Sequence, residues 1–404
     1  MNARTRTLIA ATLVLGIASG PVAAHAAPAP ASPSSSSSPS AATGATPPMV
    51  PTAPNAAALA EAIAGVGAGN KDATAALVRV GGTSGSWQGS SGVADIRSGR
   101  AAIEEGRFRV GSVTKTFTAA VVLQLAAEGK VSLDQSVQHY LPGLLPDTFQ
   151  PVTVRQLLNY TSGIQSADGP GDTFDAAYAH RFDIWDPHAM IANAVAKGPD
   201  FAPGTKQEYL NIDYTILGVL IEKLTGTSYA KAVEARVIRP LGLRDTSFPG
   251  PVRVRIQGPH NHGYQAVTGT GGSRELVDVS DWNASEQFAA GDLISTTADL
   301  ERFTVALFSG RLVPKAQLEE MFTVPEVKNV EGGDADLTAG MKRFVLPGGV
   351  VAWGKTGGRP GYNTAIGATR DLSRTLVYSV NSTDAKGLDM NPIAFKLVMA
   401  AFKK

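Results

Sequence analysis

Residues 107–129 read RFRVGSVTKTFTAAVVLQLAAEG. The segment Arg107–Val110 has the pattern of a short strand, and Thr116–Glu128 is apolar nearly all round, which predicts a buried helix that ends at a glycine. Between them stand a hydroxyl and an amine, Ser112 and Lys115, three residues apart. The segment therefore predicts a strand that leads directly into a central helix, with two chemically active side chains at the junction.

Strand patterns recur near both ends of the chain, and helical patterns dominate its middle. This order indicates that the two ends form one sheet, into which a helical subdomain is inserted. We expect one catalytic domain over residues 55–404, with a sheet part at 55–111 and 285–404 and a helical part at 112–284. The further strands are predicted at Ala75–Val80, Gly349–Trp353, Thr364–Thr369 and Thr375–Val380, and the further helices from Asn55 to Gly65 and at Val154–Asn159, Tyr214–Leu224, Tyr229–Ile238, Ala298–Phe308 and Ile393–Phe402.

The N-terminus has the features of an export signal. Two arginines precede the apolar run Leu8–Ala18, and Ala24–Ala26 offers a small-x-small cleavage site, so residues 1–26 are predicted to be a signal peptide. The apolar run is shorter than the ~20 residues of a membrane-spanning helix, so the mature form should lack a membrane anchor. Residues 27–54 are rich in Pro and Ser and uncharged, which predicts a disordered linker.

Composition excludes several classes of function. The 404 residues include 36 Lys plus Arg, 35 Asp plus Glu and no Cys. A balanced charge gives no basic field for nucleic acid, and the lack of cysteine excludes thiolate nucleophiles, disulfides and Cys-ligated metals. We expect a secreted monomer without a cofactor that acts on a small molecule.

Ser112 and Lys115 have the spacing of a nucleophile and its base. Residues three apart share one face of a helix, so the amine can take the hydroxyl proton. Burial would lower the pKa of the lysine and leave it neutral, and the free N–H groups of the helix start would stabilise the negative charge that develops. The chain also holds a second Ser-x-x-Lys, Ser228 and Lys231, which lies inside a helical pattern with no preceding strand. We interpret that pair as structural.

Two further motifs carry polar groups suited to the same chemistry. Tyr209-Leu210-Asn211 lies just before a predicted helix, where the phenol could relay protons and the amide could hold a substrate amide. The alternative is a half-buried tyrosine followed by an Asn helix cap. Lys355-Thr356-Gly357 follows a predicted strand and could bind a substrate carboxylate, or could simply be a hairpin turn.

Three competing interpretations are weaker. Gly349–Thr356 matches the phosphate-binding pattern Gly-x-x-x-x-Gly-Lys-Thr, but its Val-Val-Ala-Trp centre favours a strand and Gly-Gly-Arg-Pro-Gly follows where a helix is required. His260 and His262 lack a third ligand nearby, so no metal site is expected. The Gly-x-Ser-x-Gly motif of α/β-hydrolases does not occur in the sequence.

In order, Ser-Val-Thr-Lys, Tyr-Leu-Asn and Lys-Thr-Gly resemble the three motifs of the serine β-lactamase and penicillin-binding superfamily. The mature chain is especially similar to secreted D-alanyl-D-alanine carboxypeptidases of the class C β-lactamase-like branch. The resemblance is strongest in residues 108–115, 140–146, 159–163 and 220–226.

This resemblance implies an α+β fold, in which an antiparallel sheet is flanked by helices on both faces and carries an inserted all-helical subdomain. It implies that Ser112 attacks the substrate carbonyl while Lys115 and Tyr209 accept and donate the protons. The backbone N–H groups of Ser112 and Gly358 would hold the oxyanion. The remaining implied substrate-binding residues are Asn211, Lys355, Thr356 and Lys342, the last standing where the relatives carry an Arg that meets the terminal carboxylate.

The function expected from this resemblance is a penicillin-sensitive D-alanyl-D-alanine carboxypeptidase that acts on cell-wall peptide stems or β-lactams. The carboxypeptidases that this chain resembles carry His-Thr-Gly where it has Lys-Thr-Gly, the form usual in class C β-lactamases. A class C-type β-lactamase therefore stays open, as do an esterase or D-amino-acid amidase on the same scaffold. A non-catalytic cell-wall-binding protein is the alternative from another class.

Overall fold

The computed structural model describes residues 52–387 and 389–402. Residues 1–51, which hold the predicted signal peptide and most of the predicted linker, lie outside the described residues. Within the described ranges, no helix is long and apolar enough to cross a bilayer.

The core of the fold is a seven-stranded sheet in which every neighbouring pair is antiparallel. The described residues contain thirteen strands, seven in this sheet and six in three separate pairs: β1 (Ala73–Gly81), β2 (Trp87–Asp95), β3 (Arg100–Ala101), β4 (Phe108–Arg109), β5 (Lys206–Gln207), β6 (Tyr264–Thr268), β7 (Arg274–Asp278), β8 (Ile294–Ser295), β9 (Lys328–Asn329), β10 (Lys342–Val345), β11 (Val351–Arg359), β12 (Tyr362–Thr369) and β13 (Thr375–Ser382). The sheet order is β10-β11-β12-β13-β1-β2-β3. Because β1 pairs with β13, the two chain ends close into one sheet, which confirms the predicted fold class.

Helices cover both faces of this sheet. The helices of the described residues are α1 (Ala56–Ile63), α2 (Thr114–Ala127), α3 (Val137–Tyr140), α4 (Val154–Leu158), α5 (Phe174–Ala179), α6 (Pro187–Ala196), α7 (Asn211–Thr225), α8 (Tyr229–Val233), α9 (Thr297–Phe308), α10 (Lys315–Leu318) and α11 (Pro392–Phe402). On one face α1 and α11 bury Leu59 and Leu397 against strand residues such as Val78. On the other face α9 lies against the sheet, and α2 packs behind it. The two apolar cores therefore lie on opposite faces of the sheet.

The inserted segment is mostly helical and surrounds α2. Helix α7 packs beside α2 and also contacts α4, α6 and α8, while Phe117 of α2 stacks on Phe303 of α9 with ring centroids 3.7 Å apart. The segment also contains the hairpin β6–β7, which the sequence analysis did not predict. Helix α2 is buried on all sides, as its apolar pattern predicted.

The structure corrects two local predictions. Lys355, Thr356 and Gly357 lie inside β11 and do not follow it, and Asn211, which was placed before the helix predicted at Tyr214–Leu224, is the first residue of α7. The strand extends because β12 stays paired with β11 as far as Arg359. The pairing of β10 with β11 stops at Lys342 and Gly354. The edge of β11 beyond Gly354 is therefore not covered by β10. That edge faces the turn that carries Ser112.

Candidate active site

Ser112 lies in a 3-10 turn, Gly111–Val113, where the chain passes from β4 into α2. This turn approaches β11 so closely that only glycines fit. A Cβ on Gly357 would lie 2.0 Å from the carbonyl oxygen of Val110 and 3.0 Å from the backbone nitrogen of Ser112, and one on Gly111 would lie 2.7 Å from the nitrogen of Gly358. The backbone nitrogens of Ser112 and Gly358 therefore both lie at this contact, and a pair of backbone N–H groups can stabilise an oxyanion.

The amine of Lys115 is fully buried and lies 3.2 Å from the Ser112 hydroxyl oxygen. Its two other partners are the side-chain oxygen of Asn211, at 2.7 Å, and the carbonyl oxygen of Ala290, at 2.8 Å. Those two oxygens can only accept hydrogen bonds, whereas a hydroxyl can also donate. A neutral amine has two N–H bonds for these acceptors and one lone pair left for the Ser112 hydroxyl. The geometry thus suits a neutral lysine that acts as the base.

Electrostatics favour the same protonation state. Burial lowers the pKa of Lys115 well below its usual value, and the positive charge of Lys355 lowers that pKa further. The buried carboxyls of Asp213 and Asp292 oppose the shift without reversing it. Burial raises the pKa of Asp213 well above its usual range and that of Asp292 to about 7, so their compensating charge is itself reduced.

Tyr209 completes the group around the nucleophile. The centroid of its ring lies 5.0 Å from the Lys115 amine and 4.6 Å from the Lys355 amine. Burial raises the pKa of the phenol well above its usual value, and an interaction with Ser112 offsets this only in part. Tyr209 is therefore a neutral hydroxyl that can donate a proton. Among the described residues its buried oxygen has no partner at normal hydrogen-bond length.

The Lys-Thr-Gly motif on β11 brings a second lysine, Lys355, to the site, and the adjacent strand β10 brings a third, Lys342. Lys355 is buried, and its burial together with the charge of Lys342 lowers its pKa to about 7. Thr356 and Gly358 are half-buried and alternate with Lys355 along β11. Lys342 lies next to them on β10, but its amine already has a carboxylate partner, Asp336, at 2.6 Å.

The remaining candidate residues lie outside this group. Ser228 caps α8 by accepting a hydrogen bond from the backbone N–H of Lys231, as the structural interpretation predicted. His260 and His262 stack on each other, and His262 pairs with Asp278. Among the described residues no three potential ligands converge on a metal site. The segment Gly349–Thr356 runs into a strand, not a phosphate loop.

Residues 284–293 form a loop that contacts Lys115 and Asn211 and that was not predicted to belong to the site. Its Ala290 carbonyl accepts from Lys115, and Gln287 accepts from Asn211 at 3.3 Å. Glu286, at the start of the loop, forms a salt bridge of 2.6 Å with Arg359, the last residue of β11. This salt bridge ties the loop to the strand that carries Lys355. A backbone carbonyl has no sequence signature, although a charged residue directly after Lys-Thr-Gly-Gly was a visible signal.

We expect Glu286→Gln to lower the free energy of unfolding by about 3 kcal/mol, because it leaves the charge of Arg359 buried without compensation. The side chains of Arg359 and Glu286 are only 2% and 16% exposed. The control is Asp281→Asn, which breaks the exposed pair of Asp281 and Arg255, with side chains 44% and 76% exposed, and should change stability by less than about 0.5 kcal/mol. Urea denaturation measures the free energy of unfolding of both variants. Equal effects would contradict the conclusion that the buried salt bridge of Glu286 and Arg359 stabilises the fold more than the exposed pair does.

Ser112 supplies a nucleophilic hydroxyl, and Lys115 and Tyr209 supply a buried amine and a phenol beside it. These groups lie where a helical segment meets the antiparallel sheet, and they define a serine hydrolase of the β-lactamase and penicillin-binding protein fold. The chain belongs to the beta-lactamase family, whose family model matches residues 57–398.

The proteins that this chain is similar to include an amidohydrolase, a penicillin-binding protein and an esterase. The chain is similar to a D-stereospecific amidohydrolase from Streptomyces sp., with 35% identity, a TM-score of 0.74 and coverage of 87% of this chain and 99% of that one. It is 28% identical to penicillin-binding protein 4* of Bacillus subtilis over 73% of this chain, and 34% identical to the esterase EstB of Burkholderia gladioli over 44% of this chain. The alignments span only 65% and 47% of those two curated relatives.

Proposed function

We propose that the chain is an exported hydrolase that cleaves the peptide or amide bond following a D-amino acid, through an ester formed on Ser112. The observation that carries this proposal is the buried Lys115 amine, which lies 3.2 Å from the Ser112 hydroxyl and whose pKa is lowered well below its usual value by that burial. The D-stereospecific amidohydrolase, matched over 99% of its length, supports D-configuration of the acyl donor. The D-alanyl-D-alanine carboxypeptidase expected from the sequence is the case in which the leaving group is D-alanine.

The proposed reaction proceeds in two proton-balanced steps. Ser112 Oγ attacks the carbonyl carbon while its proton moves to the lone pair of Lys115, and the oxyanion is held by the N–H groups of Ser112 and Gly358. The C–N bond then breaks, the Tyr209 hydroxyl passes a proton to the departing nitrogen, and Lys115 returns its proton to Tyr209. Water attacks the Ser112 ester in the same geometry, and its proton passes to the serine oxygen. Asn211 and Thr356 would orient the acyl donor.

A purely binding role fits the site less well. Burying an amine without an ion-paired partner costs free energy. A wall-binding protein would gain nothing from keeping a lysine in such a place. The cost is understandable where the neutral amine is needed as a base.

The test compares hydrolysis of D-alanyl-D-alanine peptides, D-amino-acid amides and the matching L-enantiomers by the protein without residues 1–26. We expect the D-substrates to be cleaved at least about 100-fold faster than the L-substrates, and a fluorescent penicillin to label the protein and leave slowly. Rapid turnover of the β-lactam without cleavage of D-amides would instead identify a β-lactamase. Cleavage of esters alone would identify an esterase.

A further inference from the structure

Beside Lys355 the site has a second cation, Lys342, whose charge is balanced by a carboxylate. Lys342 stands opposite Gly354 in the β10–β11 pair, next in register to Lys355. Its amine lies 2.6 Å from a carboxylate oxygen of Asp336, and the two side chains are 16% and 43% exposed. Such a close pair satisfies both charges and leaves Lys342 with little attraction for another anion.

Asp336 is fixed in this position by its backbone. Its N–H and that of Leu337 both donate to the side-chain oxygen of Gln207, each at 3.1 Å, and its carbonyl accepts from the N–H of Arg343 at 2.8 Å. Gln207 is buried and stands two residues before Tyr209. The carboxylate therefore sits on a framework shared with the catalytic phenol, and it is not carried by a free loop.

Both charges of the pair change the pKa of Lys355 in the Lys-Thr-Gly motif. Lys342 lowers the pKa of the Lys355 amine, and Asp336 raises it, so the pair lies within electrostatic reach of Lys355. A substrate that brought a free carboxylate to this end of the cleft would approach Asp336 as well as the two lysines. A neutral amide would meet no such repulsion.

We propose that Asp336 is a specificity-determining residue, which neutralises Lys342 so that the enzyme prefers substrates with a neutral leaving group over peptides that end in a free carboxylate. This inference rests on the proposed function. It places the chain with hydrolases of D-amino-acid amides or blocked peptides.

The test measures kcat/KM for an N-acyl-D-alanyl-D-alanine with a free C-terminus and for its C-terminal amide. We expect Asp336→Asn to raise the ratio of acid to amide by about tenfold or more, because the freed Lys342 can then form a charge-assisted hydrogen bond to the acid. The control is Asp334→Asn on the same segment, which removes the same charge. Its partner is Lys328, in an exposed pair with side chains 89% and 66% exposed, so the ratio should not change.

A second variant keeps the test decisive if Asp336→Asn does not fold. Lys342→Gln leaves Asp336 without its partner, and the ratio of acid to amide should fall below that of the wild type. If both substrates are cleaved and neither variant moves the ratio, Asp336 does not set specificity. If the folded wild type cleaves neither substrate, the proposed function fails. This outcome can be distinguished from an unchanged ratio, which contradicts only the role of Asp336.

Discussion

Replacement of Ser112 by alanine should lower kcat/KM for D-amino-acid amides by about 10⁴-fold or more, because no ester can form without the hydroxyl. The fold should be retained, since Ser112 is only partly buried and its hydroxyl oxygen contacts the Lys115 amine, a group of the site and not of the apolar core. Steady-state kinetics and the circular dichroism spectrum measure the two effects independently.

The chain supplies a matched control in its other Ser-x-x-Lys pair. Ser228→Ala removes the N-cap of α8, which should cost about 1 kcal/mol of stability and leave kcat unchanged. If Ser228→Ala abolished turnover while Ser112→Ala did not, the nucleophile would be wrongly assigned.

Replacement of Lys115 by methionine should lower kcat/KM by a comparable factor, because the nucleophile and its base act as one unit. It should also change the pH profile. In the wild type, activity should rise with pH as Lys115 loses its proton, since only the neutral amine is a base, and this rise should occur well below the usual pKa of a lysine. Any residual activity of the methionine variant should lack this rising limb.

For substrates with a free carboxylate, activity should fall again above about pH 7, where Lys355 loses the charge that attracts them. The control for the lysine variant is Lys231→Met, in the structural pair, which should keep both the rate and the profile of the wild type. A Lys115→Met variant that retained a wild-type rising limb would assign that limb to another group.

The sequence predicted best what is close along the chain. Ser112 and Lys115 are three residues apart at the start of a helix whose apolar pattern is unmistakable, so local spacing alone places the hydroxyl beside the amine. The pairing of the chain ends followed from strand patterns at both termini, and the β1–β13 pair confirmed it. The strand β2 was missed because its Gly- and Ser-rich sequence has few of the residues that favour strands.

What the sequence could not show depends on contacts that the pattern of side chains does not encode. The carbonyl of Ala290 reaches Lys115 across 175 positions, and a backbone group leaves no trace in the pattern of side chains. The partner of Lys342 was also invisible, because Asp336 meets it only through the turn that leads into β10. The extension of β11 through Lys355 depends on where its neighbour β10 stops, which is a property of the sheet and not of either strand.

The most direct test of the Ser112–Lys115 pair is mass spectrometry of the protein after reaction with a penicillin, followed by digestion with trypsin. Cleavage after Arg109 and Lys115 releases residues 110–115, in which Ser112 is the only serine. We predict one added penicillin per chain, carried by this peptide at Ser112 and absent from the Ser112→Ala variant. An adduct on residues 224–231, which hold Ser228, or unchanged labelling of the Ser112→Ala variant, would contradict the account.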